Sequence, residues 1–118
     1  MYLRKLELKD APLMLAWMHD KRVTEKLRTN FASKTLEDAE NFIRWSWEDK
    51  DNVNLAIASD EDEYMGTVSL KHIENGTAEF AVTVRFEAMS RGYSWFGMES
   101  IIDKAFNEYG IESVYWCV

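Results

Sequence analysis

Two β-forming segments close the sequence, one carrying Phe80, Val82, Val84 and Phe86 and the other Val114, Tyr115, Trp116 and Val118. Between them lie a loop, Glu87 to Tyr93, and a stretch in which Met98, Ile101, Ile102, Ala105, Phe106 and Tyr109 recur on one helical face. A connection long enough to hold a helix returns the chain to the same end of the sheet, so the two flanking strands run parallel. Gly110 is placed to end that helix. This β-loop-α-β crossover excludes an all-helical bundle and a purely antiparallel sandwich.

The upstream pattern supplies the rest of the sheet. Tyr2, Leu3, Leu6 and Leu8 mark a short opening strand, and Asp10 and Pro12 introduce a helix carrying Leu13, Met14, Trp17 and Met18. A short helical piece is expected from Arg22 to Arg28 and a break from Thr29 to Lys34. Thr35 then caps a helix with Asp38 at the capping-box position. Ala39, Phe42, Ile43, Ser46 and Trp47 share one side of it, which predicts that it lies on a sheet. From Asn52 the period changes to two: Val53, Leu55 and Ile57 form a strand that stops at Asp60-Glu61-Asp62-Glu63. A second runs from Tyr64 to Ile73, and Asn75-Gly76 reverses the chain into the strand containing Phe80. The expected fold class is α/β (α+β), a mixed and mostly antiparallel sheet flanked by helices, in a single domain over residues 1–118.

Charge and cysteine usage narrow the function classes. Asp and Glu outnumber Lys and Arg by 21 to 14, a formal charge of −7, which disfavours nucleic acid and anionic lipid as partners and suits an amine. The longest apolar runs fall far short of the roughly 20 residues that cross a bilayer, and no apolar signal core opens the chain, so no membrane partner and a cytoplasmic location are expected. The single cysteine, Cys117, supplies no metal-finger spacing and reads as a small buried residue; no metal site is expected.

The junction Arg91-Gly92-Tyr93-Ser94 leads from loop into helix. Helix geometry leaves the first backbone N–H groups unpaired there, Gly92 permits a tight turn, and Arg91 and Ser94 add a charge and a hydroxyl, a pattern suited to phosphate as well as to ordinary turn chemistry. The order of elements, with Ala78 to Arg85, Met89 to Ser94, Ile102 to Ile111 and Ser113 to Val118, resembles the GCN5-related N-acetyltransferase (GNAT) superfamily, and within it the ribosomal-protein acetyltransferase-like branch. In the family's Gln/Arg-x-x-Gly-x-Gly/Ala loop, Met89 stands on the first position, Gly92 on the glycine and Ser94 on the last small residue; Gly92 is the clean match.

The resemblance implies acetyl-CoA as cofactor, with the pantetheine arm along Val82, Thr83 and Val84 and the pyrophosphate on Met89, Ser90, Arg91, Gly92, Tyr93 and Ser94. It implies direct attack by a primary amine of a small molecule or protein N-terminus. The Val84 N–H would hold the acetyl carbonyl oxygen, and Glu79 would act as general base directly or through water. His72 and Glu87 are weaker candidates and read as solvent-facing. Trp45, Trp47, Trp95 and Trp116 read mainly as core, with an acceptor groove as the alternative, and Tyr93 reads as a surface residue near the adenine end. The acidic Asp60 to Glu63 run reads as a solvated turn that also attracts a cationic acceptor. The family domain continues with another helix and two strands, so the chain is expected to be C-terminally incomplete; the second interpretation is a homodimer that covers the edge of its last strand. The alternative reading is a non-catalytic GNAT-like interaction or assembly domain.

Overall fold

The computed structural model describes residues 1–25, 31 and 33–116, with the side chain of Trp116 outside the description. Five strands form one sheet in the order β1-β2-β3-β4-β5: β1 (Tyr2–Lys5), β2 (Val53–Ala58), β3 (Tyr64–Glu74), β4 (Thr77–Val84) and β5 (Ser113–Trp116). The first four are antiparallel neighbours, and β5 runs parallel to β4, as the crossover demands. Four helices flank the sheet: α1 (Ala11–Met18), α2 (Lys21–Thr24), α3 (Leu36–Glu48) and α4 (Tyr93–Asn107).

Strand alternation builds a core on each face. Ile57, Val68, Leu70, Ala78 and Val84 pack on one side with Ile101 and Ala105 of α4. Ala56 and Tyr64 pack on the other with Met14 and Trp17 of α1 and Ala39 and Ile43 of α3. Full burial of a side chain the size of Ile101 or Ile43 stabilises the fold by about 1.5–3 kcal/mol.

Local chemistry sets most of the boundaries. The Thr35 hydroxyl accepts the Asp38 N–H at 3.2 Å and Asp38 Oδ2 accepts the Thr35 N–H at 2.9 Å, the reciprocal cap expected of α3. At the far end of that helix, Trp47 Nε1 donates to the Leu6 carbonyl at 2.6 Å and ties α3 to the end of β1. Asn75 and Gly76 turn β3 into β4 with φ of 50° and 78°, the left-handed pair that a tight hairpin needs.

Three expectations are corrected. Leu6 and Leu8 lie beyond β1, with Leu8 opening a 3-10 turn over Leu8–Asp10. Phe86 lies beyond β4, in a 3-10 turn over Phe86–Ala88. Asp10 precedes α1 but does not cap it. Its carboxylate, 1% exposed, takes the Glu7 N–H at 2.9 Å and both terminal nitrogens of Arg4 at 2.8 and 2.9 Å, because a buried charge is held best by a bidentate cation. The helical piece after Asp20 spans Lys21–Thr24; residues 26–28 of its expected continuation and half of the break from Thr29 to Lys34 fall outside the described residues, as does Cys117. No helix among the described residues is long and apolar enough to cross a membrane.

Candidate functional site

Among the described residues, β5 pairs with the first half of β4, from Thr77↔Ser113 to Phe80↔Trp116. In an antiparallel ladder, successive residues send their N–H and C=O alternately to the two neighbouring strands. The Arg85 N–H donates to the Met65 carbonyl of β3 at 2.9 Å. Counting back by twos, Thr83 also faces β3, whereas the main-chain groups of Val82 and Val84 point to the opposite edge, past the last β5 pair.

A groove of about 220 Å³ opens at that edge, lined by Val82, Thr83, Val84, Met89, Ser90 and Ser94, with Val23 across from them. The structure thus brings Val82, Thr83 and Val84 together with Met89, Ser90 and Ser94 around one concavity; Arg91, Gly92 and Tyr93 are not in its lining. Ser90 and Gly92 both hold positive φ, 63° and 87°. A Cβ on Gly92 would meet nothing within 4 Å, so the backbone angle, and not space, asks for glycine there. Gly92 opens α4 with no side chain capping it, which leaves first-turn N–H groups for a ligand. Main-chain donors at a helix start, an open turn and an outward-facing strand edge fit the diphosphate and amide-bearing arm of coenzyme A.

Arg91 lies outside the groove lining, with its guanidinium 5.9 Å from the Tyr93 ring centroid. Tyr93 corrects the surface expectation. Its ring is 7% exposed and packs in the α4-side core, anchoring the start of the helix, so its main-chain N–H is the part left to a ligand.

The other face of β4 carries Glu79, Ala81 and Thr83. Glu79 stands opposite Lys71 in register, and its carboxylate lies 3.9 Å from Nε2 of the exposed His72. Glu79 and Val84 are not brought together: five residues of extended strand separate their Cα atoms by about 17 Å. Glu87 stays exposed and receives Arg85 Nε at 3.2 Å, in keeping with a solvating role.

Above this face lies a cavity of about 520 Å³ between the sheet and helices α1 and α3. Its floor holds Asn54, Thr67, Ser69, Lys71 and Thr83, and its walls include Trp17, Phe42 and Trp45. Thr83 lines both the groove and the cavity. The floor is tied by hydrogen bonds: Ser69 Oγ donates to Asn54 Oδ1 at 2.6 Å, and the buried Tyr64 hydroxyl receives Trp17 Nε1 at 2.9 Å and meets Thr67 Oγ1 at 2.7 Å. Burial pushes the Tyr64 hydroxyl up to about 12, so it stays protonated in this chain of bonds.

Sequence reasoning missed this floor. The signal was present: Thr67, Ser69 and Lys71 alternate with Gly66, Val68 and Leu70, a polar face on a strand that a helix also has to cover. The tryptophans are corrected as well. Trp45, Trp47 and Trp95 are 50%, 44% and 62% exposed and not core; of the three, Trp45 lines the cavity. The acidic turn is also less free than expected. Asp60 holds the N-terminal ammonium, Asp62 holds Tyr2, Arg4 and Lys9, and Glu63 receives Arg85 at 2.8 Å.

The mixed sheet thus carries a groove with main-chain donors at the edge of β4 and a cavity on its opposite face. A model of the acetyltransferase (GNAT) domain family matches residues 1–118, and the chain belongs to that family. Among solved structures it resembles the spermidine N-acetyltransferase of Vibrio cholerae in complex with CoA and spermine, at TM-score 0.85 and 16% identity, covering 98% of this chain and 69% of that one. It also resembles a chimera of the Vibrio cholerae enzyme and hSSAT, at TM-score 0.80 and 16% identity with the same coverage. A dodecameric form of the Vibrio cholerae enzyme matches at TM-score 0.75 and 18% identity, over 98% of this chain and 67% of that one. No curated protein sequence matches the chain. These likenesses establish the GNAT fold and do not support the finer placement in the ribosomal-protein acetyltransferase-like branch.

Proposed function

We propose that the chain transfers an acetyl group from acetyl-CoA to a primary amine by direct attack, the amine entering through the cavity beneath α1 and α3. The observation that carries this reading is the shared wall at Thr83: the groove for the acyl donor and the cavity for an acceptor meet across one strand. Acetyl-CoA, when bound, supplies an activated thioester. The outward main-chain groups of Val82 and Val84 hold the pantetheine arm as a neighbouring strand would, and the Val84 N–H donates to the carbonyl oxygen as its charge develops. The first-turn donors of α4, with Ser90 and Ser94, receive the diphosphate.

Glu79 is the candidate acceptor of the amine proton, and because it stands about 17 Å along β4 from Val84 the proton would have to reach it over a relay of several waters, not by direct contact. The acceptor is a small-molecule amine or a protein N-terminus; the relatives named above add spermidine and spermine to the amines worth testing. Self-association through the outer edge of β5, unpaired among the described residues, belongs to this reading and predicts a sedimentation mass above 13.8 kDa.

Calorimetry with CoA, followed by thiol release from acetyl-CoA in the presence of amines, tests the reading. Saturable binding and amine-dependent release are expected, and Glu79→Gln should lower kcat about 100-fold. Folded protein with no CoA affinity at millimolar ligand would overturn the cofactor assignment, and a loss below about 3-fold in Glu79→Gln would remove that residue from the chemistry.

A further inference from the structure

The floor of the cavity between the sheet and helices α1 and α3 carries the hydroxyls of Thr67, Ser69 and Thr83. Two of them have partners within the protein. Ser69 Oγ donates to Asn54 Oδ1 at 2.6 Å. Thr67 Oγ1 lies 2.7 Å from the Tyr64 hydroxyl, which also receives Trp17 Nε1 at 2.9 Å. Trp17 and Tyr64 are buried and an indole N–H only donates, so the Tyr64 hydrogen goes to Thr67. The third hydroxyl differs. Thr83 is half-buried, and its hydroxyl makes no hydrogen bond among the described residues. No sealed side-chain nitrogen or oxygen among those residues lacks a partner, so the Thr83 oxygen stays open to solvent.

Position decides what that hydroxyl can meet. Thr83 lines both the groove at the edge of β4 and the cavity. Its neighbour across the ladder is Thr67, and Lys71, the charged residue that the sheet adds to the lining, stands four residues further along β3, about 13 Å away. Arg85, two residues beyond Thr83, is held by Glu63 and Glu87 and does not line the cavity. An amine moving from the cavity to the groove therefore crosses neutral hydroxyls on the sheet.

Neutrality suits the nucleophile. An attacking primary amine carries two N–H groups and one lone pair, whereas a carboxylate at the same place would favour the ammonium form, which has no lone pair. A hydroxyl oxygen accepts one N–H and leaves the lone pair unoccupied, and the β-branch of threonine keeps that oxygen in few rotamers. Resting on the amine acetyl transfer proposed above, we infer that the Thr83 hydroxyl contacts the acceptor, its oxygen accepting an N–H of the neutral amine and turning the lone pair toward the acetyl carbon. As the N–C bond forms and the C–S bond breaks, the sulfur leaves as the thiolate of CoA and one proton leaves the nitrogen through water toward Glu79. Thr83 keeps its own proton, so it orients the nucleophile and is not its base.

Thr83→Val keeps the branched shape and removes the hydroxyl, and Thr83→Ser keeps the hydroxyl. Since that hydroxyl bonds nothing among the described residues, the urea midpoint of Thr83→Val should match or exceed that of the native chain. Activity is read as thiol release from acetyl-CoA with phenethylamine and with spermidine as probes. In Thr83→Val, kcat/KM for the amine should fall about 10-fold, the size of one lost hydrogen bond, with KM for acetyl-CoA within about 2-fold of native. Thr83→Ser should recover the rate to within about 3-fold, and the pH–rate profile should keep one shape in all three proteins, because no titrating group has changed. An unchanged kcat/KM in Thr83→Val, a Thr83→Ser as slow as Thr83→Val, a KM for acetyl-CoA that rises in step, an altered profile or a lower urea midpoint overturns the inference and leaves the transfer reaction standing. Native chain that binds CoA yet releases no thiol with either amine overturns the transfer reaction, and the inference with it.

Discussion

Gly66 lies opposite Val84 across β3 and β4, and a Cβ on it would fall 2.5 Å from the Thr83 carbonyl oxygen and 2.8 Å from Val84 Cγ1. A backbone oxygen cannot rotate away as a side-chain tip can, so Gly66→Ala has to push β4 outward. The expected cost is about 1–3 kcal/mol in urea unfolding. Because the displaced segment carries the Val82 and Val84 groups that face the groove, KM for acetyl-CoA should rise beyond what the fraction unfolded explains. An unchanged KM in folded variant protein would detach this part of β4 from cofactor binding. Gly66 lies inside the strand expected from Tyr64 to Ile73, where a missing side chain has no periodicity to betray its close contact with β4.

The seating of α4 decides where its first turn points. Gly97 faces the sheet so closely that a Cβ would sit 2.6 Å from both Ile57 Cδ1 and Val68 Cγ1. Val68 is β-branched and fully buried, with little freedom to swing aside. Gly97→Ala should therefore lower stability by about 1–3 kcal/mol despite the better helix propensity of alanine, a sign opposite to that at an exposed helical glycine. Thermal unfolding checks it, and a rise in Tm would mean that α4 stands further from the sheet. The existence of α4, its glycine stop and the capping box of α3 were legible because they depend on residues three or four apart. The depth at which α4 sits was not, because Gly97, Ile57 and Val68 meet only in the folded chain.

Long-range ion pairs tie β1 and the segment after it to the turn between β2 and β3. Asp62, at the turn between β2 and β3, receives Lys9, Tyr2 and Arg4, and Arg4 also grips the buried Asp10 beside α1. Lys9, then Tyr2 and Arg4, hold the Asp62 carboxyl well below its ordinary value of 3.8. A depressed folded-state pKa stabilises the fold at pH values above that ordinary value, and the contribution is lost as pH falls from there toward the folded pKa. Asp62→Asn should be less stable than the native chain at pH 7, and the gap should close on acidification below about pH 4. Urea midpoints across that range are the check; a gap constant with pH would mean that the ionised carboxylate contributes nothing.

From the sequence alone came the parallel crossover, the antiparallel strands ahead of it, the capped α3 and the glycine turn before α4, because each is written in residues near one another along the chain. The resemblance to the GNAT superfamily, and not the local pattern, set Val82 to Val84 and Met89 to Ser94 around one cofactor. Sequence reading did not foresee that Tyr93 would turn inward, that Asp10 would pair with Arg4, or that Glu79 would stand some 17 Å along β4 from Val84. Nor could it foresee the cavity over Thr67, Ser69, Asn54 and Lys71. A polar strand face reads as solvent-exposed until helices fold over it, and only tertiary packing brought α1 and α3 across that face to turn it into a candidate binding site.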